Sequence, residues 1–152
     1  MSKTKLGFLL IAALLFGLLS GAYLFSNTRP RQFLTVRNCE GSCLRPDELV
    51  GLISSVGIQR FSGLIPGVVK ETDKTIVIEE PSTAPRVHYV IIPKKDIKDI
   101  GDLSGSDRDS LVDLFYVMSE IVREKKLSEY QIVSNGPEYQ TVTYLHFHLT
   151  GR

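Results

Sequence analysis

The chain's 152 residues carry 18 Lys and Arg against 17 Asp and Glu, a formal charge of +1 that excludes the clustered basic footprint of a nucleic-acid binder. Two cysteines are too few for a disulfide scaffold. Once the apolar head is set aside, roughly a hundred residues remain, enough for one compact core and too few for two domains.

The chain begins with a short basic head, Lys3 and Lys5, followed by an uncharged run from Leu6 to Phe25 rich in Leu, Ala and Phe. At about 1.5 Å per residue such a run matches a bilayer core of about 30 Å. It predicts a membrane anchor rather than a cleaved signal, whose apolar region is typically about 7 to 15 residues, although Ser20 and Ala22 have the spacing of a cleavage site. Arg29, Arg31 and Arg37 nearly balance the basic head, so the positive-inside rule gives only a default, the domain on the extracytoplasmic side. The division that follows is an anchor or signal segment over 1–28, a linker with a short helix over 29–56, and a domain over 57–152.

Arg29-Pro30-Arg31 reads as a juxtamembrane spacer. Cys39 and Cys43 form a C-x3-C pair, open to two ordinary cysteines, to a local disulfide if the segment is extracytoplasmic, or to metal or redox chemistry. Pro46 opens a helix with Asp47 and Glu48 in its first turn, Leu49, Leu52, Ile53 and Val56 at helical spacing, and Gly57 as its stop. Gly63 to Gly67 is a turn into an extended segment at Val68-Val69. Thr75 to Glu79 is a β-branched strand, interrupted by Glu80 to Pro85 because a central strand does not hold two prolines. His88 to Ile92, ended by Pro93, is a continuous apolar strand that predicts burial on both faces. Lys94, Lys95, Asp96 and Lys98 read as a solvated corner.

Ser106 is the expected helix N-cap, with Asp109 three residues on. Leu111, Leu114, Phe115, Met118, Ile121 and Val122 then make one apolar stripe. Tyr130 to Ser134 is a strand, and Asn135-Gly136-Pro137 a turn. Hairpin-linked strands with one long helix on a face describe an α+β fold with an antiparallel sheet, preceded by the transmembrane helix.

The final stretch, Gln140 to Arg152, reads as a strand. At period two it puts Val142, Tyr144, His146 and His148 on one face and Thr143, Leu145, Phe147 and Leu149 on the other. Two imidazoles in register, roughly 7 Å apart, have three uses. One ring can attack phosphorus while its neighbour protonates a leaving group; the pair, with His88 or a carboxylate, can hold zinc; or both rings can be hydrogen-bonded in an ordinary sheet.

The segment from Asn135 to Arg152, Asn-Gly-Pro-Glu-Tyr-Gln-Thr-Val-Thr-Tyr-Leu-His-Phe-His-Leu-Thr-Gly-Arg, resembles the signature of the histidine triad (HIT) superfamily. That signature is a Gly-rich turn, Gln-Ser/Thr-Val, then histidines alternating with apolar residues. Ile65-Pro66, Asp73-Lys74, Ala84-Pro85, His88 to Lys95, Leu103 and the helix from Ser106 to Lys126 extend the resemblance over the whole domain. It implies a nucleotide hydrolase or transferase that cleaves a bond at the α-phosphate of a purine nucleoside monophosphate conjugate or dinucleoside polyphosphate through a nucleotidyl-histidine intermediate. In that reading His146 is the nucleophile and His148 contacts phosphate and helps the leaving group. Asn135, Gln140 and Thr141 match phosphate-side positions, and Glu79, with Glu80 as the fallback, matches the ribose-binding acid.

The resemblance implies no cofactor and no metal, and it extends to a homodimer. Two departures accompany it: Tyr144 stands in the place of the first triad histidine, and Asp96 stands where a histidine often follows Lys-Lys. The alternative is a low-turnover nucleotide-binding sensor or scaffold with a degenerate triad.

Overall fold

A computed structural model describes residues 3–34, 43–81, 86–137 and 139–152; Arg37, Cys39 and the interruption at 82–85 lie outside the described residues. Five strands, β1 (Val68–Glu71), β2 (Thr75–Glu79), β3 (Val87–Pro93), β4 (Tyr130–Val133) and β5 (Phe147–Gly151), form one sheet in the order β1-β2-β3-β5-β4. Every neighbouring pair is antiparallel. Gly67 takes φ +79° at the turn into β1, a left-handed conformation that glycine adopts at little cost.

Strand alternation sorts the core into two layers. Val77, Tyr89, Ile91, Phe147 and Leu149 pack under the long helix α3 (Arg108–Glu124), together with its Leu114, Val117, Met118 and Ile121. Ile76, Val90 and Ile92 face the other way and pack with Tyr144 and with Ile58 of α2 (Pro46–Arg60). β3 is covered on both faces, which is why its sequence is a continuous apolar run.

The expected helices are present with shifted edges. α1 (Lys3–Phe25) contains a stretch, Thr4–Phe25, long and apolar enough to cross a membrane. α2 runs through Gly57 to Arg60 and is closed by the bond from Phe61 N–H to the Gly57 carbonyl, 2.8 Å. In α3 the buried stripe takes Val117 and leaves Phe115 about half exposed, touching the edge of Phe147. The N-terminal capping box belongs to Ser104 and Asp107, on a short 3-10 turn, rather than to Ser106 and Asp109. Asp107 wins the role because it is buried, where it also receives Arg29 and Lys95.

Two expectations are corrected. The stretch from Gln140 to His146 is not a strand; the ladder begins only at Phe147. Its backbone is engaged elsewhere: Thr143 N–H points to the Asp47 carbonyl at 3.5 Å, Tyr144 N–H to the Val142 carbonyl at 2.8 Å, and Leu145 N–H to the Ile97 carbonyl at 2.7 Å. Gly51 makes this approach of α2 possible, since a Cβ there would lie 2.6 Å from the Thr143 carbonyl oxygen. Nor is the corner after β3 solvated throughout. Asp96 is 1% exposed because a cationic strap described below covers it, and Ile97, 0% exposed, packs in the core layer under α3.

Candidate active site

A cleft of about 660 Å³ opens on the sheet face opposite α3. Ile58, Ile65, Ile78, Val90 and Ile92 give it apolar walls, and Glu80, Asn135, Gln140, Thr141, His146 and His148 give it polar ones. Tyr144 and Val142 line it as well. The alternation expected of the last strand therefore survives in space, even where the ladder does not. Val142, Tyr144, His146 and His148 face the cleft, while Leu145, Phe147 and Leu149 enter the core beneath α3.

The hydrogen bonds of the histidines fix where their protons lie. His146 Nδ1 is 2.7 Å from the Tyr144 carbonyl oxygen. A carbonyl only accepts, so Nδ1 carries the hydrogen and, in the neutral ring, Nε2 keeps its lone pair. His148 Nδ1 is 2.9 Å from His88 Nε2, and His88 Nδ1 is 3.2 Å from Glu80 Oε2. With the carboxylate accepting at one end, the chain runs from His148 Nδ1–H to His88 Nε2 and from His88 Nδ1–H to Glu80. His148 Nε2 is then the nitrogen left to exchange a proton. Partial burial, with His146 and His88 beside it, holds His148 below the usual imidazole pKa. The His146 and His148 rings meet edge to face, centroids 5.0 Å apart.

The Tyr144 side chain takes no part in this chain. Its hydroxyl donates to the Pro93 carbonyl at 2.9 Å and the Lys94 carbonyl at 3.0 Å, tying the triad segment to the end of β3. Burial, reinforced by the charge of Asp96, pushes the phenol well above its ordinary pKa.

Next to Tyr144 lies a second polar cluster built from the residues that follow α1. Arg31 is buried and ion-paired to Asp96, lies 3.6 Å from Glu48, and donates to the Thr143 carbonyl. Arg29 donates its backbone N–H to Asp96 at 2.8 Å and its guanidinium to both oxygens of Asp107, at 2.9 and 3.0 Å. Burial alone would raise the Asp107 carboxyl, but bonds from Lys95, Ser104 and Arg29 hold it well below the usual carboxylate range. Arg29-Pro30-Arg31 is thus a strap fastened to the domain rather than a spacer.

Of the residues expected at the site, Asn135, Gln140, Thr141, Tyr144, His146 and His148 share the one cleft. Glu79 closes β2 opposite Tyr89, and the acid that lines the cleft is Glu80. The one-residue step matters because consecutive strand residues face opposite sides. His88 was legible only as a potential zinc ligand, and its bond to His148 depends on the β3–β5 register, which pairs Val90 with His148 and His88 with Thr150. Glu80, His88 and His148 have ligand atoms close enough to hold a metal ion, all within 4.8 Å of one another. In the structure, however, two of those atoms are bonded to each other. Cys43 is disulfide-bonded.

Residues 65–151 match the family described as Scavenger mRNA decapping enzyme C-term binding. An uncharacterized HIT-like protein of Chlamydia trachomatis is 33% identical over 99 residues, which are 60% of this chain and 89% of that one. A HIT-like protein of Chlamydia pneumoniae is 30% identical over 99 residues, 60% of this chain and 90% of that one. Among solved structures, a HIT family hydrolase from Legionella pneumophila is 31% identical at a TM-score of 0.53, covering 60% of this chain and 87% of that one. A HIT family hydrolase from Clostridium thermocellum shares the fold at a TM-score of 0.56 and 24% identity, over 78% of this chain and 93% of that one.

Proposed function

Since the chain belongs to the histidine triad superfamily, we propose that it is a hydrolase or transferase cleaving a bond at the α-phosphate of a purine nucleotide conjugate, with His146 as nucleophile. The observation that carries this reading is the bond from His146 Nδ1–H to the Tyr144 carbonyl, which leaves Nε2 with its lone pair at a cleft-lining position. In the first step Nε2 forms a bond to the α-phosphorus as the bond to the leaving group breaks. The departing oxygen or nitrogen takes its proton from protonated His148, which His88 and Glu80 steady. In the second step water attacks the same phosphorus, His148 receives its proton, and the nucleoside monophosphate leaves His146. No cofactor, metal or nucleic acid is required. The apolar walls suit a base, Asn135, Gln140 and Thr141 suit phosphate, and Glu80 is better placed than Glu79 for the ribose hydroxyls.

The main-chain origin of the Nδ1 bond supports turnover despite Tyr144, because any residue at that position supplies a carbonyl. We further read α1 as a membrane anchor with the domain on the extracytoplasmic side, which the disulfide at Cys43 favours. The exposed Tyr130, Ile132 and Val133 on edge strand β4 suit pairing with a second copy.

His146→Asn tests the mechanism on a fluorogenic adenosine phosphoramidate. Turnover should fall on the order of 10³-fold or more, with the denaturation midpoint unchanged, and denatured wild-type enzyme quenched during turnover should carry covalent nucleotide that the variant lacks. AMP binding with neither product nor covalent nucleotide in the wild type would identify a binding protein instead.

A further inference from the structure

Uncovered apolar side chains over 33–64 include Leu34, Leu44, Leu49, Val50 and Ile53 as well as two just beyond the end of α2. Phe61, directly after α2, is 48% exposed, and Leu64, three residues on, is 80% exposed. This same end of α2 is tied to the last turn of α1. The Arg60 guanidinium lies over the Tyr23 ring, 4.3 Å from its centroid, and donates to the Tyr23 carbonyl at 3.0 Å and to Ser26 Oγ at 2.9 Å. Gln59 Nε2 lies 3.4 Å from the Asn27 carbonyl. Short tethering reinforces the docking, since Arg29, four residues beyond the end of α1, is already bonded to Asp96.

If α1 crosses a bilayer, Tyr23 in its last turn stands where tyrosines gather, at the boundary between acyl chains and water. Arg60 shares that level, with its cation among the headgroups. Four residues of extended chain span at most about 14 Å, which places Leu64 within that distance of a headgroup layer that is itself roughly 5–8 Å deep. An aromatic and a leucine held there, uncovered by the domain, have the lipid boundary as their nearest apolar medium.

We propose that Phe61 and Leu64 form a membrane-contacting surface, entering the headgroup boundary of the same bilayer that α1 crosses. The inner side of α2 supports this arrangement functionally, because Ser54, Gly57 and Ile58 wall the cleft. α2 thus stands between the candidate active site and the lipid. The proposal rests on the reading of α1 as a transmembrane helix.

The natural sequence has no tryptophan, so single substitutions report position without background. Phe16→Trp within α1, Leu64→Trp, and Val112→Trp on the exposed side of α3 are each made in the full chain. They are reconstituted into phosphatidylcholine vesicles with and without brominated acyl chains. Leu64→Trp should lose emission to the brominated lipid, as Phe16→Trp does, and emit to the blue of Val112→Trp, which stays unquenched. Quenching at Phe16 without quenching at Leu64 overturns the surface while leaving the anchor standing. No quenching at Phe16 overturns both. A blue-shifted but unquenched Leu64→Trp whose emission follows the protein-to-lipid ratio assigns the patch to a second copy of the chain and also overturns the proposal.

Discussion

Two polar clusters lie on either side of Tyr144, and they are built on opposite principles. On one side Glu80, His88, His148 and His146 form a hydrogen-bonded series bordering an open cleft, where partial burial favours the neutral form of His148. On the other, Arg31, Asp96 and Glu48 form a close ionic cluster with side chains 1%, 0% and 5% exposed. Groups of the first kind can change charge during a reaction. Groups of the second kind hold one another in place, because a buried ion is tolerated only while its partner stays. Tyr144 and Asp96, the two positions read in the sequence as departures from the resemblance, both belong to the locked side. The phenol braces the end of β3, and Asp96 fastens the strap that follows α1. What the histidine side takes from position 144 is a carbonyl oxygen, bonded to His146 Nδ1.

The sharpest way to break this contrast is Asp96→Ala. It strands Arg31 in the interior and should destabilise the domain by about 3–5 kcal/mol, read by chemical denaturation of the detergent-solubilised chain. A loss comparable to a surface ion pair, below about 1 kcal/mol, would mean the cluster is not locked at all. Tyr144→Phe comes next. Losing the hydroxyl leaves the Pro93 and Lys94 carbonyls without their donor and should cost about 1–3 kcal/mol. Its kcat should stay close to that of the wild type, and a collapse of kcat in a variant of undiminished stability would place the phenol in the chemistry.

A smaller effect separates the titrating side by pH. His148 has a folded pKa below its unfolded value of about 6.5, so in acid the unfolded chain takes up its proton first. The stability concerned is intact above pH about 6.5 and is lost as pH falls from there towards the folded pKa. His148→Gln should flatten that part of the stability profile; an unchanged slope would assign it to other groups. The smallest effect is expected of Glu80→Gln. Glu80 acts to raise the His148 pKa, so its neutralisation should move the high-pH limb of the kcat/KM profile, where the acid His148 loses its proton, to lower pH by a fraction of a unit. Movement to higher pH would contradict the order of the relay.

Much of this was readable along the chain because it is local. A β-branched run marked β2, a continuous apolar run β3 and a period of about 3.6 α3, the longer apolar run marked α1, and the alternation from Val142 to Leu149 divided cleft from core. These signals come from one element facing one layer, and each residue carries its own share. The ladder's start at Phe147, by contrast, was not readable, since it depends on Asp47 and Ile97 reaching the backbone of 143–145 from distant parts of the chain.

The sequence by itself determined the sheet-and-helix class, the pair of histidines and the residues that share their face. Tertiary structure alone decided that His88 bonds to His148, that Glu80 rather than Glu79 lines the cleft, and that the apparent spacer at Arg29 and Arg31 is fastened to the domain by ion pairs. The physical reason is common to all three. Strand register and the burial of a charge depend on partners far away in the sequence, and a charged residue reads as solvent-facing until its counter-charge is seen beside it.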